Sequence, residues 1–102
     1  MASYFNVTSS NTQELVAPGN GQRITSISLV NIKGVSPFNL CRVDLFIKKS
    51  LKGTFYILKD VPLQVGDTLK HDFTFDNGTN QFGLYLKITS VVGDVGVDVI
   101  LN

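Results

Sequence analysis

Tryptophan is absent from this 102-residue chain, and cysteine, histidine and methionine each occur once. A single cysteine excludes an intrachain disulfide, so the fold is expected to form without oxidation, as in a reducing cytosol. Cys41 lies in an alternating apolar run, where a thiol packs as a small hydrophobe. One histidine and one cysteine leave a tetrahedral zinc site two ligands short of the usual kind. No metal and no other cofactor is expected. His71 stands between Lys70 and Asp72 in a polar stretch and reads as a solvated strand residue rather than the base of a catalytic triad.

Charge is also scarce. Only 17% of residues are charged, against about a quarter in a typical globular protein. The net charge is +1. The densest basic group is Lys48, Lys49 and Lys52, too sparse for a nucleic-acid footprint, so no nucleic-acid partner is expected. No run approaches the roughly twenty apolar residues of a membrane-spanning helix. Met1 to Val7 has neither the basic region nor the apolar run of a signal peptide, so no leader is expected. Gly19-Asn20-Gly21 lacks the helix and lysine of a phosphate-binding loop. Asp76-Asn77-Gly78-Thr79-Asn80 lacks the acidic ladder of a calcium loop. No catalytic residue is assigned, and no enzymatic activity is expected.

What the chain has in abundance is alternation at a period of two. Cys41, Val43, Leu45 and Ile47 share one face of a strand, with Arg42, Asp44 and Lys48 on the other. Phe82, Leu84, Leu86 and Ile88 repeat the pattern, as do Val95, Val97, Val99 and Leu101. Arg23 to Ile32 reads as a long strand whose apolar positions break parity, and a bulge near Ser26 would reconcile them. Thr54 to Leu58 should turn back on the Val43 strand as a hairpin through Lys49 to Gly53. Thr68 to Phe75 is a further strand, and Tyr4 to Thr8 and Gln13 to Val16 are short candidates. Pro62 to Gly66 reads as a connection. Asn77-Gly78 is a hairpin signal, since both residues tolerate positive φ.

Roughly seven or eight short strands with regular turns and no helical periodicity imply an all-β fold. The expected architecture is a small two-sheet antiparallel β-sandwich of jelly-roll or immunoglobulin-like type, or a small barrel. Residues 1–102 are expected to form a single domain, with 1–16 an N-terminal arm or an edge strand.

The positive functional signal is apolar residues that alternation turns outward. Phe46, Tyr85 and Ile100 lie opposite the core faces of their own strands. Tyr4 and Phe5 sit in a polar N-terminal segment, and Phe38 lies in a proline-containing loop. Two readings stand. These side chains pack between sheets, loops and termini, or they form a subunit or partner interface, where aromatic anchors dominate. Tyr4, Phe5, Phe38, Phe46 and Tyr85 are the candidate interface residues.

The order of Ile24 to Ile32 (Ile-Thr-Ser-Ile-Ser-Leu-Val-Asn-Ile), Val43 to Lys48 (Val-Asp-Leu-Phe-Ile-Lys) and Phe55 to Leu69, with its Pro-x-x-x-Gly turn, resembles small β-sandwich structural proteins of tailed-bacteriophage virions. The Phe82 to Thr89 and Val95 to Leu101 strands complete the pattern; the stretch through Val16 lies outside it. The resemblance implies a capsid decoration (cement) protein that bridges major capsid subunits. It carries with it a partner in the major capsid protein or other virion subunits, a homo-oligomer, expected to be a trimer, and a place in the virion after synthesis in the host cytoplasm. The alternative is a tail, neck or fibre adaptor, or a module that binds host glycan.

Overall fold

Period-two alternation buries one side of each strand, and two such sheets bury each other. The computed structural model, which describes residues 3–19, 21–33, 40–49, 52–78, 82–90 and 95–102, contains eight strands. They are β1 (Ser3–Val7), β2 (Gln13–Val16), β3 (Arg23–Asn31), β4 (Leu40–Lys49), β5 (Gly53–Gln64), β6 (Thr68–Asp76), β7 (Phe82–Ser90) and β8 (Val97–Leu101). The first sheet has the order β1-β8-β3-β6 and the second β2-β7-β4-β5. All strand pairs are antiparallel, and β1 pairs β8, β2 pairs β7, β3 pairs β6 and β4 pairs β5. That nested pairing is the wound double ribbon of a jelly roll, which decides between the two sandwich types left open by the sequence.

The core lies between the sheets. Val43, Leu45, Leu84, Leu86, Val97 and Val99 are all buried there, together with Ile24, Ile27, Leu29, Phe75, Ile88 and Leu101. The bulge near Ser26 is present: the Thr25 and Ser26 N–H groups both donate to the Asn102 carbonyl. Two residues therefore oppose one, and Ile24 and Ile27 both reach the core despite their spacing. A second irregularity, between Glu14 and Val16, lets the adjacent Leu15 and Val16 both be buried.

Three expectations change. Pro62 falls inside β5 rather than in a connection. β5 is an edge strand of the second sheet, where a residue without an N–H is tolerated. Asn77-Gly78 does not close a hairpin, because β6 and β7 belong to different sheets. Only Gly78 of the pair has positive φ, 44°. Asn77 instead buries its side chain and ties loops together: Nδ2 donates to the Ala17 carbonyl (3.0 Å) and the Phe82 carbonyl (3.1 Å), and Oδ1 accepts from the Gln22 N–H (2.9 Å). His71, expected in solvent, shares the inward parity of Phe73 and Phe75. It is half-buried, pairs with Ile27 and stacks on Phe73 with ring centroids 6.1 Å apart.

The N-terminal segment forms two edge strands, β1 on the first sheet and β2 on the second. Val7 is in the core and Phe5 packs against it. Tyr4 and Phe5 therefore do not form a free polar arm.

Candidate functional site

Outward residues of four neighbouring strands line up across the second sheet. Glu14 on β2 stands opposite Tyr85 on β7, Tyr85 opposite Phe46 on β4, and Phe46 opposite Tyr56 on β5. Direct cross-strand neighbours are close enough for ring contact. Phe46 stacks on Tyr85 with centroids 5.9 Å apart and planes at 23°, and meets Tyr56 at 5.4 Å with a 49° tilt.

Local sequence builds this row. Gly83, two residues before Tyr85 on the same strand face, is buried. A Cβ there would sit 2.6 Å from the Val16 carbonyl oxygen and 3.0 Å from the Tyr85 hydroxyl. The missing side chain lets β2 approach and gives the Tyr85 ring room beside Phe46. On β5, register shifts between Val43 and Phe46 add residues opposite β4. They bring Tyr56 onto the outer row opposite Phe46, although it stands only two residues from Leu58, which pairs with the inward Leu45. Asp60 takes the extra turn at φ 51°, its N–H donating to Asp44 Oδ1 at 2.8 Å.

Cations frame the row. Lys48 Nζ lies 5.8 Å from the Phe46 centroid and 5.5 Å from that of Tyr85, and Lys59 Nζ lies 4.6 Å from Tyr56. Ammonium groups over ring faces are held by the ring quadrupole. Lys59 also approaches Asp44 Oδ2 at 3.8 Å. Burial pushes the Tyr85 hydroxyl above the ordinary tyrosine range, and the Glu14 carboxylate adds to the shift. Tyr85 is therefore a neutral hydrogen-bonding group at physiological pH. The face can bind by stacking, by charge and by hydroxyl hydrogen bonds. Among the described residues no three His, Cys, Asp or Glu side chains converge as a metal site requires.

The candidate interface residues are dispersed by the fold. Phe46 and Tyr85 meet on the second sheet. Phe46 does lie opposite the core, but it is only 6% exposed, because Tyr56 and Tyr85 cover it. It supports the face rather than presenting itself. Tyr4 is on the outer face of the first sheet, 73% exposed and directly opposite the exposed Ile100 on β8. Phe5 points to the core. Phe38 lies outside the described residues. Sequence reasoning missed Tyr56. Its one signal was the contrast between a tyrosine and the aliphatic Ile57 and Leu58 that follow it.

No protein-family model and no curated protein matches this sequence. Solved structures do resemble it. The Yersinia pseudotuberculosis-derived mitogen shares 10% identity at a TM-score of 0.55, over 99% of this chain and 83% of that one. The SPBc2 prophage-derived protein YomS shares 13% identity at a TM-score of 0.48, over 99% and 94% of the two chains. The VP2 subviral particle of infectious bursal disease virus shares 14% identity at a TM-score of 0.40, over 98% of this chain and 32% of that one. At 10% identity, the likeness to the Yersinia mitogen is one of fold.

Proposed function

We propose that this chain is a non-enzymatic structural protein of a tailed-phage virion that decorates the capsid and bridges neighbouring major capsid subunits. One observation carries the reading. Aromatic residues are presented on both outer faces of a jelly roll: Tyr4 beside Ile100 on the first sheet, and Tyr56 with Tyr85 on the second. Bridging needs two contact surfaces on one body, and opposite faces of a sandwich supply them. The jelly roll alone selects nothing, since it serves capsid proteins, lectins and cupins alike. The resemblance in strand order to phage virion proteins points to the first of these.

The mechanism is linkage. A body that binds the assembled lattice but not its separated subunits stabilises assembly by mass action. Many copies on one lattice add multivalency. Tyr4 and Tyr85 are the contact residues in this reading. Self-association as a trimer belongs to the same reading and is measured by sedimentation velocity.

Co-sedimentation with capsids lacking the protein tests the proposal. The full chain is expected to pellet with capsids, and Tyr4→Ala and Tyr85→Ala each to pellet less, because each removes an anchor from one of two faces. Failure of the full chain to pellet overturns the reading. A second reading, a tail or fibre module that binds host glycan, has its own support in Tyr56. That ring is 50% exposed, with Lys59 and Asp44 beside it, and exposed aromatics flanked by polar groups suit sugars.

A further inference from the structure

We infer that the outer face of the second sheet binds an acidic glycan, a chain of uronate sugars whose carboxylates meet Lys48 and whose rings lie along the Tyr85–Phe46–Tyr56 row. The inference goes beyond capsid attachment and gives the glycan reading a ligand class and a site.

Three features select this ligand. The first is charge. Among the described residues the ion pair on this face is Lys59 with Asp44, which leaves the Lys48 ammonium with ring faces and no carboxylate. Lys52 lies exposed at the end of the β4–β5 hairpin, near the Lys49–Gly53 pair. A cation already laid on two rings loses little freedom when an anion arrives, and a charge-assisted hydrogen bond is stronger than a neutral one. The second is shape. Phe46 is buried between Tyr85 and Tyr56, and the Tyr56 ring stays half exposed at the edge of the row. Lysines beside the rings add charge to a stacking surface, and such a row can take a flat polar chain as well as a protein contact. The third is the pair of acids within the face. Glu14 stands opposite Tyr85, and Asp44 is half-buried beside Lys59. They can accept hydrogen bonds from sugar hydroxyls, groups that neither polyglutamate nor the phosphates of DNA carry.

Isothermal titration of the full chain at low ionic strength tests this with an oligogalacturonate, a neutral oligosaccharide of matched length, polyglutamate and single-stranded DNA. The oligogalacturonate is expected to bind in preference to the other three, and to weaken as salt is added. Lys48→Gln should weaken it by about tenfold, the scale of one charge-assisted hydrogen bond. Tyr56→Ala should weaken it further than Tyr56→Phe, which keeps the ring. Thermal melts of the variants establish that each is folded, and Lys48→Gln alone decides the matter if Tyr56→Ala is not. No binding of the uronate chain, equal binding of polyglutamate, tighter binding of DNA, or wild-type affinity in Lys48→Gln overturns the inference. Capsid co-sedimentation is measured separately, so either reading can fail without the other.

Discussion

The Asn77 side-chain oxygen accepts a hydrogen bond from the Gln22 backbone N–H at 2.9 Å, joining loops 55 residues apart in sequence. Its amide nitrogen donates to the Ala17 and Phe82 carbonyls. One buried side chain thus ties the β2–β3 connection to the β6–β7 crossover. Asn77→Ala is expected to lower stability by about 2–4 kcal/mol, because three backbone groups lose a buried partner. Asn77→Asp should do no better, since it turns a carboxylate toward two carbonyl oxygens. Urea melts measure both, and a loss near zero would contradict the role assigned to Asn77.

Leu86 and Lys87 are adjacent on β7 and face opposite ways, Leu86 fully buried and Lys87 exposed. Leu86→Ala is expected to cost roughly 2–5 kcal/mol through lost burial and the cavity left behind. Lys87→Ala should stay within about 0.5 kcal/mol. Equal denaturation midpoints would contradict the facing of this strand.

Deletion of residues 1–8 removes β1, uncovers the β8 edge and takes Val7 from the core and Phe5 from its packing. The melting temperature should fall by about 10 °C or more, since a domain of this size loses roughly 4–8 °C per kcal/mol. Tyr4→Ala, at a side chain 73% exposed, should melt within about 2–3 °C of wild type, in line with other surface changes. A truncated chain as stable as the full one would mean that β1 contributes nothing to the sandwich.

Gly83→Ala should destabilise by about 1–3 kcal/mol, the usual range for an overpacked site. The new methyl would meet the Val16 carbonyl oxygen at 2.6 Å, and it also crowds the Tyr85 hydroxyl. Near-ultraviolet circular dichroism should register the displaced Tyr85 ring. An unchanged spectrum and unchanged stability would show that β2 can move aside.

Burial raises the Cys41 thiol above its ordinary value of 9.0. A group whose folded pKa is raised holds its proton longer in the folded state. Its contribution to stability is intact below the unfolded pKa and declines as pH climbs past it toward the folded value. Stability should therefore fall above about pH 9, and Cys41→Ala should flatten that part of the curve. Alkylation by iodoacetamide should be slow in the native state and rapid in urea. Rapid native alkylation would place the thiol at the surface.

Much of the sandwich was legible from local pattern. The facing of Val43, Leu45, Leu84, Leu86, Val97 and Val99 followed from alternation alone. The break at Thr25 and Ser26 was readable because Ile24 and Ile27 cannot share a face on an unbroken strand. The errors arose where the partner mattered. Asn77-Gly78 carries the local chemistry of a tight turn, but whether a turn closes a hairpin depends on which strand receives the chain. Pro62 looks like a strand breaker until β5 proves to be an edge. His71 looked polar because its chain neighbours are polar, while its inward position is set by pairing with Ile27.

The candidate face divides in the same way. Parity was enough to turn Phe46 and Tyr85 to the outer side of their strands, because successive side chains point to opposite faces whatever lies next to the strand. That parity, and with it the all-β class, belongs to the sequence by itself. The jelly-roll order, the arrival of Tyr56 through the β5 irregularities, the covering of Phe46 and the place of Tyr4 on the opposite sheet were decided by tertiary structure. The physical reason is that alternation is a property of each strand alone. Which residue stands opposite another depends on register and strand order, and these are settled only when segments distant in sequence pack together.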